Sequence, residues 1–374
     1  MKKKVLAVLL GGCMVAGLLA GCGGDEGTSP EGGDAATSEE GSGGGDYTFE
    51  VVVKSFQSTY WQAAIQGIDA AKEELGVKVN TTGPNAESDI ADQVNMLNNA
   101  ISQQPDGIAL AANDQNAVLD SLQDALDADI PVVCFDTGVP DAPEGSVIAT
   151  IATDNEAAGA VAAENMYPVI KDAIANADGQ VRIGEVNQDA TSANISGRGM
   201  GFINKMKELI EADGKTVAVI GNQFYVDQVE NNGDEGSADV IIEVAVPAQT
   251  TVELSATEAS NIMNKDDTIA IFGSNQVTAE GVLTANQNLN VLAATPDEGI
   301  VGVGFDAGAT IKAAVADGTL VGAVTQAPVD QGKLAIEALY NICEGNEVSD
   351  VATDAYWYDA ENMEEDTIAP NLYD

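Results

Sequence analysis

Short apolar runs alternate with amphipathic segments through most of the chain. The first run, "FEVVVK" at 49–54, has the length and β-branched content of a buried strand. Trp61, Ile65 and Ile68 follow it at helical spacing, and Gly76 is a residue suited to end a helix. This stretch therefore predicts one strand followed by one helix.

The same unit recurs along the chain. A helix is predicted from Gln115 and a long one from about Asn155, and most other apolar runs also precede a helical segment. Regular alternation predicts an α/β fold of parallel sheets flanked by helices, with ligands bound beyond the carboxyl ends of the strands. The further runs are "VKVNTT", "GIALAA", "IPVVCF", "VIATI", "QVRIGEV", "TVAVIG", "VIIEVAV", "TIAIFG", "IVGVGF" and "LVGAVT".

Two of these runs end in the same way. "VCFDTG" at 133–138 and "VGFDAG" at 303–308 each place an aspartate, Asp136 or Asp306, at the end of an apolar strand with Gly just after it. A single such Asp is most simply explained as a cap of the following segment. The matched pair favours a functional interpretation, in which the two carboxylates face each other across a cleft between two lobes.

Size and charge narrow the possible functions. The 374 residues are 45% hydrophobic, which is enough for a core larger than one domain usually carries. Acidic residues outnumber basic ones 60 to 15, so nucleic acid and anionic membrane surfaces are disfavoured as partners, and a neutral or cationic ligand is favoured. A solvated acidic surface that keeps the chain soluble and monomeric is the simpler explanation of the charge.

The chain contains no histidine. This removes Ser-His-Asp and Cys-His catalysis, His-based metal sites and the usual general base near neutral pH. We therefore expect a protein that is not an enzyme, with no cofactor and no metal.

The N-terminus has the pattern of an export signal. Three lysines precede an apolar segment and small residues within 1–21, and "LAGC" ending at Cys22 resembles the bacterial lipoprotein signal, in which the Cys is lipidated. An ordinary membrane helix is the alternative, but 5–21 is shorter than a bilayer requires and contains four glycines. Residues 22–46 are then the lipidated Cys and a flexible acidic linker.

Six motifs in the body occur in an order that resembles the ribose- and galactose-type sugar-binding proteins of bacterial ABC importers. Each motif is weakly specific, but the ordered set is highly specific and spans 47 to about 354. The motifs are "PDGIALAANDQNAV", "IPVVCFDTG", "IATDNEAAG", "AIFGSNQVTAEGV", "VGVGFDAG" and "GAVTQAPVDQG".

This resemblance implies two similar Rossmann-like lobes, joined by three hinge crossings, with the ligand cleft between them. The implied N-terminal lobe is 47–153 with 327–353, and the C-terminal lobe is 154–326 with 354–374. The two repeated aspartates then fall in opposite lobes, and closure about the hinge would capture a ligand.

The resemblance also implies a set of sugar contacts. Asp136 and Asp306 are expected to accept hydrogen bonds from sugar hydroxyls, while Asn275 and Gln326 both donate and accept hydrogen bonds. Ser58 and Asp114 are the further polar candidates.

Tyr60 and Trp61 stand where the family often places two aromatic residues. Core packing of the first helix is the alternative for both, and Trp61 does fit the apolar stripe of that helix. We expect at least one of the two to contact the sugar.

Two features depart from the family pattern. The ligand-binding Arg that usually precedes the "GF" at 201–202 is replaced by Ser196, with Arg198 two residues later. Either Arg198 reaches the ligand by a changed route or that contact is missing. Residues 222–239 look like a polar insertion, which we expect on the surface at the cleft rim.

Three other functions compete with a sugar-import role. "GVGFDA" at 302–307 matches the loose GxGxxG/A pattern of nucleotide-binding enzymes, but its first two glycines lie within the strand rather than in the turn after it. A transcription regulator of this fold would need a basic DNA-reading segment at its N-terminus, where this sequence has an export-signal pattern and an acidic linker instead. A lipoprotein that senses a sugar, polyol or nucleoside and presents it to a chemoreceptor or sensor kinase stays open.

The sequence therefore predicts an extracytoplasmic solute-binding protein of an ABC importer. It would be lipid-anchored to the outer face of the cell membrane and would capture a sugar, most simply a monosaccharide, by lobe closure. The expected partners are the sugar and the membrane subunits of the importer.

Overall fold

The computed structural model describes residues 46–374 and confirms the predicted α/β fold. Strands and helices alternate along the chain, as the apolar pattern indicates. The strands are β1 Thr48–Val52, β2 Lys78–Thr82, β3 Gly107–Leu110, β4 Val132–Phe135, β5 Val147–Thr153, β6 Val181–Val186, β7 Val217–Gly221, β8 Val240–Ala245, β9 Thr268–Gly273, β10 Leu292–Ala293, β11 Ile300–Phe305, β12 Gly322–Thr325, β13 Val351–Thr353 and β14 Tyr356–Tyr358.

The helices lie between these strands, most of them with polar caps at their N-termini. They are α1 Thr59–Leu75, α2 Ile90–Ser102, α3 Leu119–Asp127, α4 Asn155–Asn176, α5 Ala193–Ala212, α6 Gln223–Val226, α7 Val252–Met263, α8 Gln276–Leu289, α9 Ala309–Ala316 and α10 Pro328–Cys343, with a 3₁₀ helix at Ala369–Asn371. Among residues 46–374, no helix is both long and apolar enough to span a membrane.

The strands form two sheets. The first has the order β13-β5-β4-β3-β1-β2, and all its neighbours are parallel. The second has the order β14-β12-β11-β9-β6-β8-β7, with β10 beside β11, and only β14 is antiparallel to its neighbour. We call the two sheets with their helices the first and second lobes.

Both ends of α1 are formed by residues with a strong preference for helix caps. The Ser58 hydroxyl accepts a hydrogen bond from the Tyr60 backbone N–H at the start, and Gly76 adopts a left-handed conformation (φ 68°) at the end. The helix predicted from Gln115 begins only at Leu119, because the residues before it form turns around Asp114.

Each lobe packs one pair of helices through glycines. In the first lobe, a Cβ on Gly67 would lie 1.9 Å from the Val329 carbonyl oxygen, so α1 and α10 touch backbone to backbone. In the second lobe, a Cβ on Gly159 would lie 2.0 Å from the Arg198 carbonyl oxygen, and α4 and α5 touch in the same way. Only glycine permits either approach.

The chain passes between the lobes three times, between β5 and α4, between β12 and α10, and between β13 and β14. Side chains from the three crossings are joined by hydrogen bonds. The Thr153 hydroxyl donates to Gln326 Oε1 at 2.9 Å, and Gln331 Nε2 lies 2.9 Å from the hydroxyl oxygens of both Thr153 and Thr353. The three predicted hinge crossings are therefore physically connected.

Residues 222–239 cover the edge strand β7. The Asn232 side chain pairs with both backbone groups of Val219, at 2.8 and 2.9 Å, as a neighbouring strand would. Tyr225 is fully buried, and its hydroxyl donates to the Asp189 carbonyl. The segment protects a sheet edge, and the residues that line the cleft described below do not include it.

The core of the second lobe contains a carboxyl group. Glu185 on β6 is fully buried; its Oε1 accepts from Asn187 Nδ2 at 2.9 Å, and its Oε2 has no hydrogen-bond partner among the residues described. Burial raises the pKa of Glu185 well above its usual range. Above the ordinary pKa of Glu, the unfolded chain holds fewer protons than the folded one, so this group lowers stability as pH rises.

We expect Glu185→Gln to raise the melting temperature at pH 8, because a neutral amide replaces a group that must be buried as an acid. The gain should correspond to about 1–3 kcal/mol and should shrink toward pH 4. Thermal unfolding at both pH values measures it. Glu243→Gln on β8 is the control and should lower the melting temperature, because Glu243 pairs with Arg182 at 2.6 Å. A lower melting temperature for Glu185→Gln at pH 8 would contradict the argument.

Candidate functional site

The two repeated aspartates occupy equivalent places in the two lobes. Asp136 follows β4 with φ 63°, and Asp306 follows β11 with φ 70°, both in the left-handed region that few non-glycine residues adopt. The Asp136 N–H donates to Ile151 at the end of β5, and the Asp306 N–H donates to Val324 at the end of β12. This backbone turn directs both carboxylates into one cleft between the lobes.

The Asp136 carboxylate is the centre of a buried polar cluster. Lys54 Nζ lies 3.1 Å from Oδ2, with the two side chains only 2% and 3% exposed. The Tyr60 hydroxyl donates to Oδ1 at 2.6 Å. Asn194 of the second lobe donates to Oδ2 at 3.0 Å and accepts from Lys54 at 2.9 Å, so the cluster spans both lobes.

The Asp306 carboxylate is held within the second lobe and at the hinge. It accepts from the Gln276 backbone N–H at 2.9 Å and from Gln326 Nε2 at 2.7 Å. Burial raises the pKa of Asp306, and the positive charge of Arg198 partly offsets this. The carboxylate thus touches both the start of α8 and the β12 crossing.

Arg198 reaches the cleft despite its shifted sequence position. Its guanidinium donates to the Ser274 carbonyl at 2.8 Å and to Asn155 Oδ1 at 2.7 Å, and lies 3.7 Å above the Phe305 ring. The Ser196 hydroxyl instead donates to the Ser192 carbonyl in its own helix. Arg198 therefore lines the cleft and Ser196 does not, and a contact between Arg198 and the ligand stays a prediction.

Aromatic side chains form the wall of the cleft on the first lobe. Tyr60 and Trp61 both line it, with ring centroids 5.0 Å apart and an edge-to-face arrangement. Trp61 Nε1 donates to Glu87 at 2.7 Å. Tyr373, which follows the 3₁₀ helix, packs edge-on against Tyr60 at a ring-centroid distance of 5.9 Å, and its hydroxyl oxygen accepts from the Ala307 N–H.

Direct hydrogen bonds join the lobes around the cleft. Gln276 Oε1 accepts from the Ser58 hydroxyl at 2.9 Å and from the Tyr60 N–H at 3.3 Å, and its Nε2 donates to Thr59 Oγ1 at 2.9 Å. Gln188 of the second lobe donates to Glu87 of the first at 2.7 Å. These contacts stabilise the closed arrangement.

The space that remains between these residues is small, about 20 Å³, which is room for roughly one water molecule. We call it the inner cavity. It is lined by Lys54, Ser58, Tyr60, Trp61, Glu87, Asp136, Asn194, Ile195, Arg198, Asn275, Gln276, Val277, Asp306 and Gln326.

The structure brings together every ligand-contact residue predicted from the sequence except Asp114. Asn275 caps α8 and also contacts Gln188, and Gln326 joins Asp306 to the hinge. The Asp114 carboxylate accepts from the Asn116 and Ala117 backbone N–H groups at 2.8 and 3.0 Å. It stabilises a turn and does not line the inner cavity, so a contact between Asp114 and the ligand stays a prediction without support from this geometry.

Sequence reasoning missed four residues that line the inner cavity and carry much of its chemistry. Lys54 had a readable signal, because it is a polar residue just beyond the carboxyl end of β1, where ligands bind in parallel sheets. Asn194 and Gln276 begin helices that follow such strands. Glu87 lies in a loop and enters only through tertiary contacts with Trp61 and Gln188.

Comparisons with known proteins point to one family. Residues 49–347 match the periplasmic binding protein domain. The ribose import binding protein of Bacillus subtilis is 23% identical over 81% of this chain and 84% of its own.

Solved structures resemble the whole body of the chain. An "ABC transporter, LacI family transcriptional regulator" of Brachyspira murdochii has a TM-score of 0.73 and 32% identity, over 88% of this chain and 99% of its own. An ABC transporter solute-binding protein of Agrobacterium vitis with bound D-fucose has a TM-score of 0.71 and 26% identity, over 87% of this chain and all of its own.

We expect Gln276→Ala to shift the lobes toward an open arrangement. The three lobe-to-lobe hydrogen bonds of this side chain contribute about 1 kcal/mol each, so the open-to-closed ratio should rise on the order of 100-fold. Small-angle scattering should then give a larger radius of gyration. Gln287→Ala, an exposed position on the same helix, is the matched control. Identical scattering from both variants would exclude the Gln276 side chain as a latch.

Proposed function

Because the chain belongs to the periplasmic binding protein family, we propose that it is the extracytoplasmic component of an ABC importer that captures a sugar between two closing lobes. The observation that carries the proposal is the pair of buried carboxylates, Asp136 and Asp306, one from each lobe, in a single polar and aromatic cleft. Relatives named for ribose import or solved with D-fucose support a sugar as the ligand class.

The chemistry of the cleft matches the hydroxyl groups of a sugar. Carboxylates accept hydrogen bonds from hydroxyl groups, whereas Lys54, Arg198 and Asn194 can donate hydrogen bonds to hydroxyl oxygens. Tyr60 and Trp61 offer aromatic surface to the C–H face of a sugar ring. Both lobes contribute hydrogen-bond donors and acceptors to the lining of the inner cavity.

The sugar is captured when its hydroxyl groups replace hydrogen bonds that the protein makes with itself. The inner cavity is too small for a sugar ring, so the lobes must part to admit one. Sugar hydroxyls then replace the bonds that Tyr60 and Asn194 make to Asp136. The ligand stabilises closure only by contacts that both lobes make together.

The remaining assignments extend this proposal to the whole chain. The lobes are 47–153 with 327–353 and 154–326 with 354–374, in keeping with the sheet to which each strand belongs. Residues 1–21 and Cys22, which lie outside the described residues, would supply the export signal and the lipid anchor. The chain would then act as a monomer at the outer face of the cell membrane, delivering sugar to the importer's membrane subunits.

We expect Asp136→Asn and Asp306→Asn each to weaken sugar binding by about 10- to 100-fold, because each removes a charged acceptor worth about 1.5–3 kcal/mol. Calorimetry with D-ribose, D-fucose, D-arabinose, D-galactose and D-glucose identifies the ligand and measures the loss. The asparagine variants are preferred to alanine, because asparagine keeps the side-chain volume beside Lys54 and can still accept a hydrogen bond from it.

Asp114→Asn is the matched control, since it makes the same change in the first lobe outside the inner cavity. It should bind the sugar as the unmodified chain does. Equal affinity in Asp136→Asn, Asp306→Asn and the control would overturn the paired-carboxylate role. Failure of the unmodified chain to bind these monosaccharides and also the disaccharides used below would overturn the function itself.

A further inference from the structure

A second and much larger cavity adjoins the inner one. Its volume is about 480 Å³, within the range of small-molecule sites, whereas that of the inner cavity is about 20 Å³. We call it the outer cavity. The first lobe lines it with the loop before α1 and the loop before α2, and the second lobe lines it with the starts of α7 and α8.

The two cavities share one wall. Ser58, Glu87, Gln276 and Val277 line both of them. The partition includes the bond from the Ser58 hydroxyl to Gln276 Oε1 at 2.9 Å, which joins opposite lobes. Parting the lobes to admit a ligand breaks this bond, so a ligand in the inner cavity can extend past it into the outer one.

The lining of the outer cavity is rich in hydroxyl groups. Five serine and threonine residues contribute to it, and the Gln57 and Gln276 amides add further donors and acceptors. Such a surface matches a neutral group that carries several hydroxyls of its own. The hydroxyl residues are Ser55, Ser58, Thr59, Thr250 and Thr251.

The charged residues that line the outer cavity are all acidic. Glu87, Glu253 and Glu280 line it, and none of the described lining residues is a lysine or arginine. An anionic group placed there would face these carboxylates without a compensating cation, which is costly in a partly desolvated site. The cavity therefore discriminates against a carboxylate-bearing ligand.

We propose that the outer cavity is a second subsite, which holds an uncharged, hydroxyl-rich unit attached to the sugar of the inner cavity. The chain then takes a disaccharide or a similar neutral glycoside in preference to the free monosaccharide. This inference rests on the proposed sugar-binding function and specifies its substrate class.

Calorimetry on the purified chain tests the subsite with matched probes. The pairs are D-galactose with lactose, D-glucose with maltose, and D-glucose with cellobiose. In at least one pair the disaccharide should bind tenfold or more tightly than the monosaccharide, as expected when a second unit gains about 1.4 kcal/mol of contacts.

A cavity-filling variant separates the two subsites. Val252 begins α7 and lines only the outer cavity, so Val252→Trp should remove the gain from the second unit and leave monosaccharide affinity unchanged. Thr257→Trp is the matched control, because Thr257 is exposed on the same helix and does not line the cavity. It should keep the gain.

A third experiment tests whether the outer cavity disfavours a negatively charged ligand. Lactitol and lactobionate carry the same galactose unit, and maltitol and maltobionate the same glucose unit, but one member of each pair has a carboxylate. With the pair that binds, the anionic member should bind at least tenfold more weakly, and Glu253→Gln should narrow the difference.

The outcomes distinguish this inference from the function on which it rests. Monosaccharide binding with no gain from any disaccharide would overturn the subsite and leave the proposed function intact. An equal loss of both ligands in Val252→Trp would also overturn it. No binding of any sugar would overturn the proposed function together with the subsite.

Discussion

The buried ion pair between Lys54 and Asp136 is the interaction on which the cleft depends. Removing both charges from water costs several kcal/mol per ion, which pairing recovers only when the remaining hydrogen-bonding groups are also satisfied. Tyr60 supplies one such bond from the first lobe, and Asn194 supplies two from the second. Closure of the lobes therefore completes the environment of a charge pair that neither lobe satisfies alone, and sugar hydroxyls can take over the same role.

The two lobes share two structural features. Each ends a buried strand with an aspartate in the left-handed region, and each packs a helix pair through glycines that admit a neighbouring carbonyl. The hinge then joins the two halves through Thr153, Gln326 and Gln331, and Gln326 also binds Asp306. A ligand contact at Asp306 is thus one hydrogen bond away from the crossings about which the lobes move.

Polar groups are distributed differently in the two cavities. In the inner cavity most of them bind one another, so a ligand must offer an equally complete set of donors and acceptors. In the outer cavity, hydroxyls and carboxylates surround a larger space and set a looser requirement based on size and charge. The two cavities therefore place different demands on whatever occupies them.

Local patterns in the sequence were sufficient for the α/β alternation and the two repeated aspartates. This is because hydrophobic periodicity and strand-end turns act over a few residues. The other cleft residues that the sequence indicated followed from the resemblance of its ordered motifs to a known family. The pairing of Lys54 with Asp136 and Asn194, the partition formed by Ser58 and Gln276, and the entry of Glu87 were decided by tertiary structure. These groups are separated by tens to hundreds of residues, and only strand order and the hinge crossings determine which of them meet. For Asp114, the sequence indicated its position after a strand but not its contacts. Its carboxylate accepts hydrogen bonds from the turn that follows it and does not line the inner cavity.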